Sequence, residues 1–253
     1  RRVIITEPDL KDREAILKIH SKGKPLAKDV KLAVLAQRTP GFSGADLKNL
    51  MNEAAILTAK RNKKQVGMSE CLESIEKVML GPERRSRVFS KKEKEIAAYH
   101  EAGHAIVSHV LPYSDPVHKI SIISRGQAAG YTLKLPEEEK HFHAKKEFMD
   151  DLAVMLAGHA TEKKIFHEIT TGATSDLRAA TTLARKLVTE YGMSEKLGPM
   201  TFGQKDELVF LGKEIGEQRD YSEQVAFKID SEVSRFITDA YKLAQKVLNN
   251  YDD

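Results

Sequence analysis

Cysteine is almost absent: Cys71 is the single one in 253 residues. An intrachain disulfide and a cysteine zinc knuckle are therefore excluded, a reducing compartment fits, and Cys71, inside a helical pattern, reads as plain core. Charge of one sign is not in excess either. Lys+Arg number 41 and Asp+Glu 37, a net of +4, and the charges are interspersed, which is an ordinary surface rather than a nucleic-acid footprint. No apolar run of about 18 residues exists that would span a bilayer as a helix. The start Arg1-Arg2-Val3-Ile4-Ile5 lacks an initiator methionine and a signal-peptide pattern, so the chain reads as a fragment from which a membrane anchor could have been left out. A GxxxxGK[ST] phosphate loop is missing too: Gly23-Lys24-Pro25 and Gly212-Lys213-Glu214 have neither its spacing nor its final Ser or Thr, which excludes ATP hydrolysis by this chain alone. There is no internal repeat.

The length suits two domains of about 100–200 residues or fewer. After a strand-like Val3-Ile4-Ile5-Thr6, residues Asp9 to His20 have helical spacing behind a capping Asp9. LAKDVKLAVLAQRT (residues 26–39) predicts a second helix closed by Pro40-Gly41. In FSGADLKNLMNEAAILTAKRNKK (42–64), Ser43 and Asp46 form a capping-box start and Leu47, Leu50, Ala54 and Leu57 an apolar stripe. A fourth helix at about 69–80 stops at Gly81-Pro82. These four make a small helical module over residues 1–80. Gly81 to Ser90 reads as a linker whose arginines either contact a neighbouring subunit or, as is commoner for a charge run, are simply solvated, and Arg61-Asn62-Lys63-Lys64 reads the same way.

Ser90 and Glu93 cap the next helix, which runs to Val110. Val117 to Leu135 alternates like two strands joined by a loop, and helices follow at about 145–166, 175–190 and 218–249. The fold class is mainly α, with a small β element in the second domain, 81–253.

The chemistry concentrates in Ala98-Tyr99-His100-Glu101-Ala102-Gly103-His104. His100 and His104 stand at i and i+4, so both imidazoles reach one point beside the helix, the geometry of a zinc site with an open position for water and with Glu101 as general base. A polar helix face turned toward another element is the blander reading. Gly103, in a helix interior, costs about 1 kcal/mol against alanine and calls for a reason, of which close approach of another element to the metal face would be one. A third protein ligand is needed, and no histidine follows at the short metzincin spacing. The candidates are Glu162, Asp176, His159 and His167. Asp176 is also explained as a first-turn charge and Glu162 as a solvated helix charge, so the residues alone leave these two even. His20, His109, His118, His141 and His143 read as surface or helix-end positions, and the aliphatic stripes as core.

AYHEAGHAIV, PVHKISIISRG, GYTLKLPEE, EITTGATSDLRAATTLARKLVTEYGMSEKLGP and VFLGKEI together resemble the FtsH family of membrane-anchored, ATP-dependent zinc proteases. RTPGFSGADLKNLMNEAAILTAKR resembles the helical lid of an AAA ATPase, with Gly44 and Ala45 near the nucleotide. The resemblance implies His100, His104 and Asp176 as zinc ligands, one zinc per chain, Glu101 as the catalytic base and Glu162 as an orienting neighbour of a ligating histidine. It further implies that the strand at Ile120, Ile122 and Ile123, or its partner, adds edge-on to an extended substrate. The implied activity is zinc-dependent endopeptidase cleavage in which activated water attacks the peptide carbonyl. The implied substrates are unfolded or membrane proteins, taken by a homo-hexamer held at the inner or plasma membrane with its soluble part facing the cytoplasm, or at an organellar membrane. ATP and Mg would belong to the full-length protein, and no nucleic acid is involved. His159 departs from the family's usual arginine, Lys163 from a second glutamate and Ser124 from a frequent proline. The reading from a different class is a non-catalytic oligomerisation or adaptor module with a structural, closed metal site.

Overall fold

Serines with an acidic residue three places on start two of the helices, because each pair satisfies backbone N–H groups that the first turn leaves without partners. The computed structural model describes residues 6–82, 89–123, 130–134, 140, 142–203 and 220–251. They form α1 (Leu10–Ser21), α2 (Leu32–Gln37), α3 (Gly44–Lys60), α4 (Met68–Leu80), α5 (Lys91–Val110), β1 (Val117–Ser121), β2 (Tyr131–Lys134), α6 (Lys145–Phe166), a 3-10 turn at Thr171–Ala173, α7 (Thr174–Thr189) and α8 (Glu223–Asn250). The protein is mainly α, as its sequence predicts. Val3–Ile5 of the expected first strand and most of the expected linker are outside the described residues. The chain divides into two compact units: among the described residues the first holds 6–82 and Ile123, and the second 89–122, 130–134, 140, 142–203 and 220–251.

In the first unit Leu17, Leu35, Leu47, Leu50, Met51, Ala54, Cys71 and Ile75 close one core. The helix expected from residue 26 begins only at Leu32. Leu26 instead bridges Val66: the Val66 N–H donates to the Pro25 carbonyl at 2.7 Å and the Ala27 N–H to that of Val66 at 2.9 Å. Asp29 accepts the first N–H of α4, at Met68. These long-range partners outbid the local helical ones. The basic run after α3 is not merely solvated. Lys63 and Arg61 both donate to the buried Glu70 carboxylate, and, against the cost of burial, hold its pKa down to about 2.

In the second unit α6 is central. It packs against α5, α7 and α8 around Leu152, Leu156, Leu187, Ile229 and Phe236. α8 starts at Glu223, capped by Ser222, later than the expected 218. β1 and β2 pair antiparallel with Ile120 opposite Thr132 and Ser121 opposite Tyr131. Glu232 on α8 ties down the turn after α7: its carboxylate takes two bonds from Arg235 and one from the Ser194 hydroxyl at 2.7 Å. Arg235, against the penalty of burial, lowers the Glu232 pKa from 4.5 to about 2. A carboxyl depressed in the folded state stabilises above its unfolded pKa and loses that contribution as pH falls through the folded one. Glu232→Gln is therefore expected to lower the unit's stability at pH 7 by about 1–2 kcal/mol, a charged hydrogen bond discounted because the arginine side chain is 35 % exposed. Melting curves of variant and parent should converge as the pH drops from about 4.5 to about 2.

Candidate metal centre

Helix α5 lays His100 and His104 against α6 and Glu101 against β2, all three less than a tenth exposed. The approach is close because two glycines permit it. A Cβ on Gly103 would sit 2.1 Å from the Thr161 hydroxyl of α6. A Cβ on Gly158 of α6 would sit 2.3 Å from Nε2 of His100, inside the imidazole.

Each imidazole is oriented from behind. His100 Nδ1 donates to Oε1 of Glu162 at 2.7 Å, and His104 Nδ1 donates to the Val154 carbonyl at 2.6 Å. Both acceptors fix the proton on Nδ1 and turn the Nε2 lone pairs to the other side. There the two Nε2 atoms are 3.1 Å apart, and Oδ2 of Asp176 lies 3.2 Å from that of His100 and 3.8 Å from that of His104. The three residues form a group whose ligand atoms all lie within 4.8 Å of one another. A tetrahedral zinc with bonds of about 2.0–2.1 Å needs ligand separations of roughly 3.3 Å. Two imidazole nitrogens and a carboxylate at these distances fit that ion in both chemistry and spacing.

Of the four candidates for a third ligand, Asp176 is thus the one brought to the histidines. Glu162, 1 % exposed, stands behind His100; its second oxygen accepts the Thr170 N–H at 2.8 Å, in the loop that leads into α7 and Asp176. One carboxylate therefore braces both a histidine and the approach to the aspartate. His159 meets Tyr241 of α8 in a T-shaped ring contact, and His167 ends α6 in a left-handed conformation.

The electrostatics follow from burial and crowding. Burial opposes charge on His100, yet the Asp176 and Glu162 carboxylates outweigh it and raise the pKa. Asp176 is also penalised by burial, but His100 and His104 hold its carboxyl far below the usual range. Glu101 is raised, first by burial, with the Thr132 hydroxyl bond and the histidines pulling the other way. That hydroxyl, on β2, donates to Oε2 of Glu101 at 2.7 Å.

Residues 87–253 match the profile of peptidase family M41, two thirds of the chain, and residues 29–73 match that of the AAA+ lid domain. The chain belongs to peptidase family M41. Among curated relatives of this M41 chain, the ATP-dependent zinc metalloproteases FtsH 1 of Sphaerobacter thermophilus and of Thermomicrobium roseum are each 57 % identical over all 253 residues, which are 39 % of the relative's length. FtsH 1 of a Thermoanaerobacter species is 55 % identical over the whole chain and 41 % of its own length. The chain spans about two fifths of the relatives it matches.

Ile120, Ile122 and Ile123 are each nearly half exposed, on and just after β1. Gly44 opens α3 and Ala45 is exposed beside it. Three site neighbours escaped the sequence reading of this M41 chain. The Val154 carbonyl and Thr132 have no local signal. Gly158 does: it is a helix-interior glycine, and the reasoning applied to Gly103 applies equally to it.

Proposed function

We propose that residues 1–80 are the lid of an AAA ATPase and 81–253 the zinc endopeptidase of an FtsH-type protease. The observation that carries this is the convergence of His100, His104 and Asp176 beside the buried Glu101. His100, His104 and Asp176 hold the zinc, which when bound supplies a Lewis acid that polarises a carbonyl and acidifies water. Glu101 accepts the proton of the attacking water and hands it to the leaving amine nitrogen. Glu162 and the Val154 carbonyl keep the imidazoles in the tautomer that presents Nε2. An extended peptide adds to the edge of the β1–β2 sheet by main-chain hydrogen bonds near Ile120, Ile122 and Ile123, which makes little demand on sequence and suits unfolded or membrane proteins.

In the full-length protein ATP and Mg power the delivery of substrate, Gly44 and Ala45 approach the nucleotide, the chain assembles as a homo-hexamer, and further segments anchor it to the membrane. The site then works on the cytoplasmic side of a bacterial inner or plasma membrane. No helix among the described residues is long and apolar enough to cross a membrane. An unstructured polypeptide incubated with the chain should be cleaved, cleavage should stop on chelation, and added zinc should restore it. A metal that binds without any turnover, in the assembled ring as well, would favour a structural site in an adaptor module instead.

A further inference from the structure

Glu101 has three side-chain torsions, and a proton acceptor on so flexible a stem needs something to hold it. Helix α5 places its Cα, but the carboxylate is gripped by β2. The Thr132 hydroxyl donates to Oε2 at 2.7 Å, within the range of a charge-assisted O–H···O⁻ bond. The same oxygen is 3.1 Å from the Glu101 carbonyl, so the threonine sits against both ends of the residue. Gly130, two positions earlier, makes the room: a Cβ there would lie 2.9 Å from both Cγ and Oε1 of Glu101, and 2.8 Å from the Ser121 carbonyl. One oxygen of the base is thus held by a donor on β2, and the other lies in the room left by the glycine just before that strand. Thr132 is also the residue opposite Ile120 in the β1–β2 register.

We propose that Thr132 is a positioning residue for the base: its hydroxyl fixes the Glu101 carboxylate and couples the base to the β1–β2 hairpin through the same residue that pairs with Ile120. This rests on Glu101 being the base of the peptidase. A peptide added to the hairpin would steady the strand that holds the proton acceptor, so that binding and proton transfer share one mechanical support. A threonine suits the position because its β-branch favours the strand while its hydroxyl supplies the donor.

Thr132→Val keeps the branch and the volume and removes the donor. It is expected to lower kcat by about ten- to a hundredfold, the worth of a hydrogen bond to a charged group, with KM and zinc content unchanged. Thr132→Ser should bring kcat back to within a few-fold, and Thr132→Ala serves as the donor-free variant should the valine misfold. An independent readout is the Glu101 carboxyl carbon resonance of the zinc-free, glutamate-labelled chain at fixed pH, assigned by its disappearance in Glu101→Gln. It should move in the donor-free variant and return in Thr132→Ser. A resonance that stays put, a shift with kcat intact, a loss of kcat traceable to lost zinc, or a loss that serine does not rescue would each overturn the proposal. Should the parent chain cleave nothing, the peptidase reading fails, and the resonance alone still decides whether Thr132 holds Glu101.

Discussion

Glu101→Gln is expected to leave zinc bound and to lower peptide cleavage by about 10²–10⁴-fold, the usual contribution of a positioned general base. Glutamine has nearly the same shape, and its amide oxygen still accepts the Thr132 hydroxyl, so helix α5 and the histidines on it have no reason to move. What disappears is the capacity to take a proton. Glu101 is 7 % exposed, in a site walled by α5 and by β2, where bulk water cannot easily replace it. Paired kinetics and zinc analysis of parent and variant provide the check, and cleavage retained by a zinc-loaded Glu101→Gln chain would remove Glu101 from the mechanism.

Asp176→Ala and Glu162→Ala should separate sharply, although both delete a carboxylate near His100. Asp176 offers Oδ2 to the point where both Nε2 atoms aim, so its loss leaves two imidazoles to hold a cation. Such a site should fail to retain zinc through purification. Glu162 touches the opposite nitrogen, Nδ1, and the Thr170 amide. Its removal frees the imidazole to rotate and loosens the loop ahead of α7 while leaving all three ligand atoms present. Losses from such supporting carboxylates are typically 10–100-fold in metal affinity.

Local features of the fold were readable from the sequence. The capping boxes at Ser43 with Asp46 and at Ser90 with Glu93 form within four residues, and the structure has both. The i, i+4 histidine pair is equally local, and its rings meet at 4.8 Å between centroids. Readability ends where partners are distant. The helix read from residue 26 gives way to the Leu26–Val66 bridge, whose energy depends on a residue beyond the whole of α3. Asp176 and Glu162 stand even in the sequence because the choice depends on how α6 and α7 dock on α5, and His100 and Asp176 are 76 residues apart. The Thr132 bond requires the strand register as well as the helix position, so no spacing along the chain announces it.

Elemental analysis of the purified chain beside Asp176→Ala and Glu162→Ala tests the zinc site most directly. The expected result is about one zinc per parent chain, none above background in Asp176→Ala, and a reduced but restorable content in Glu162→Ala. Zinc kept by Asp176→Ala and lost from Glu162→Ala would make Glu162 the third ligand, return Asp176 to an ordinary first-turn charge, and contradict the site described above.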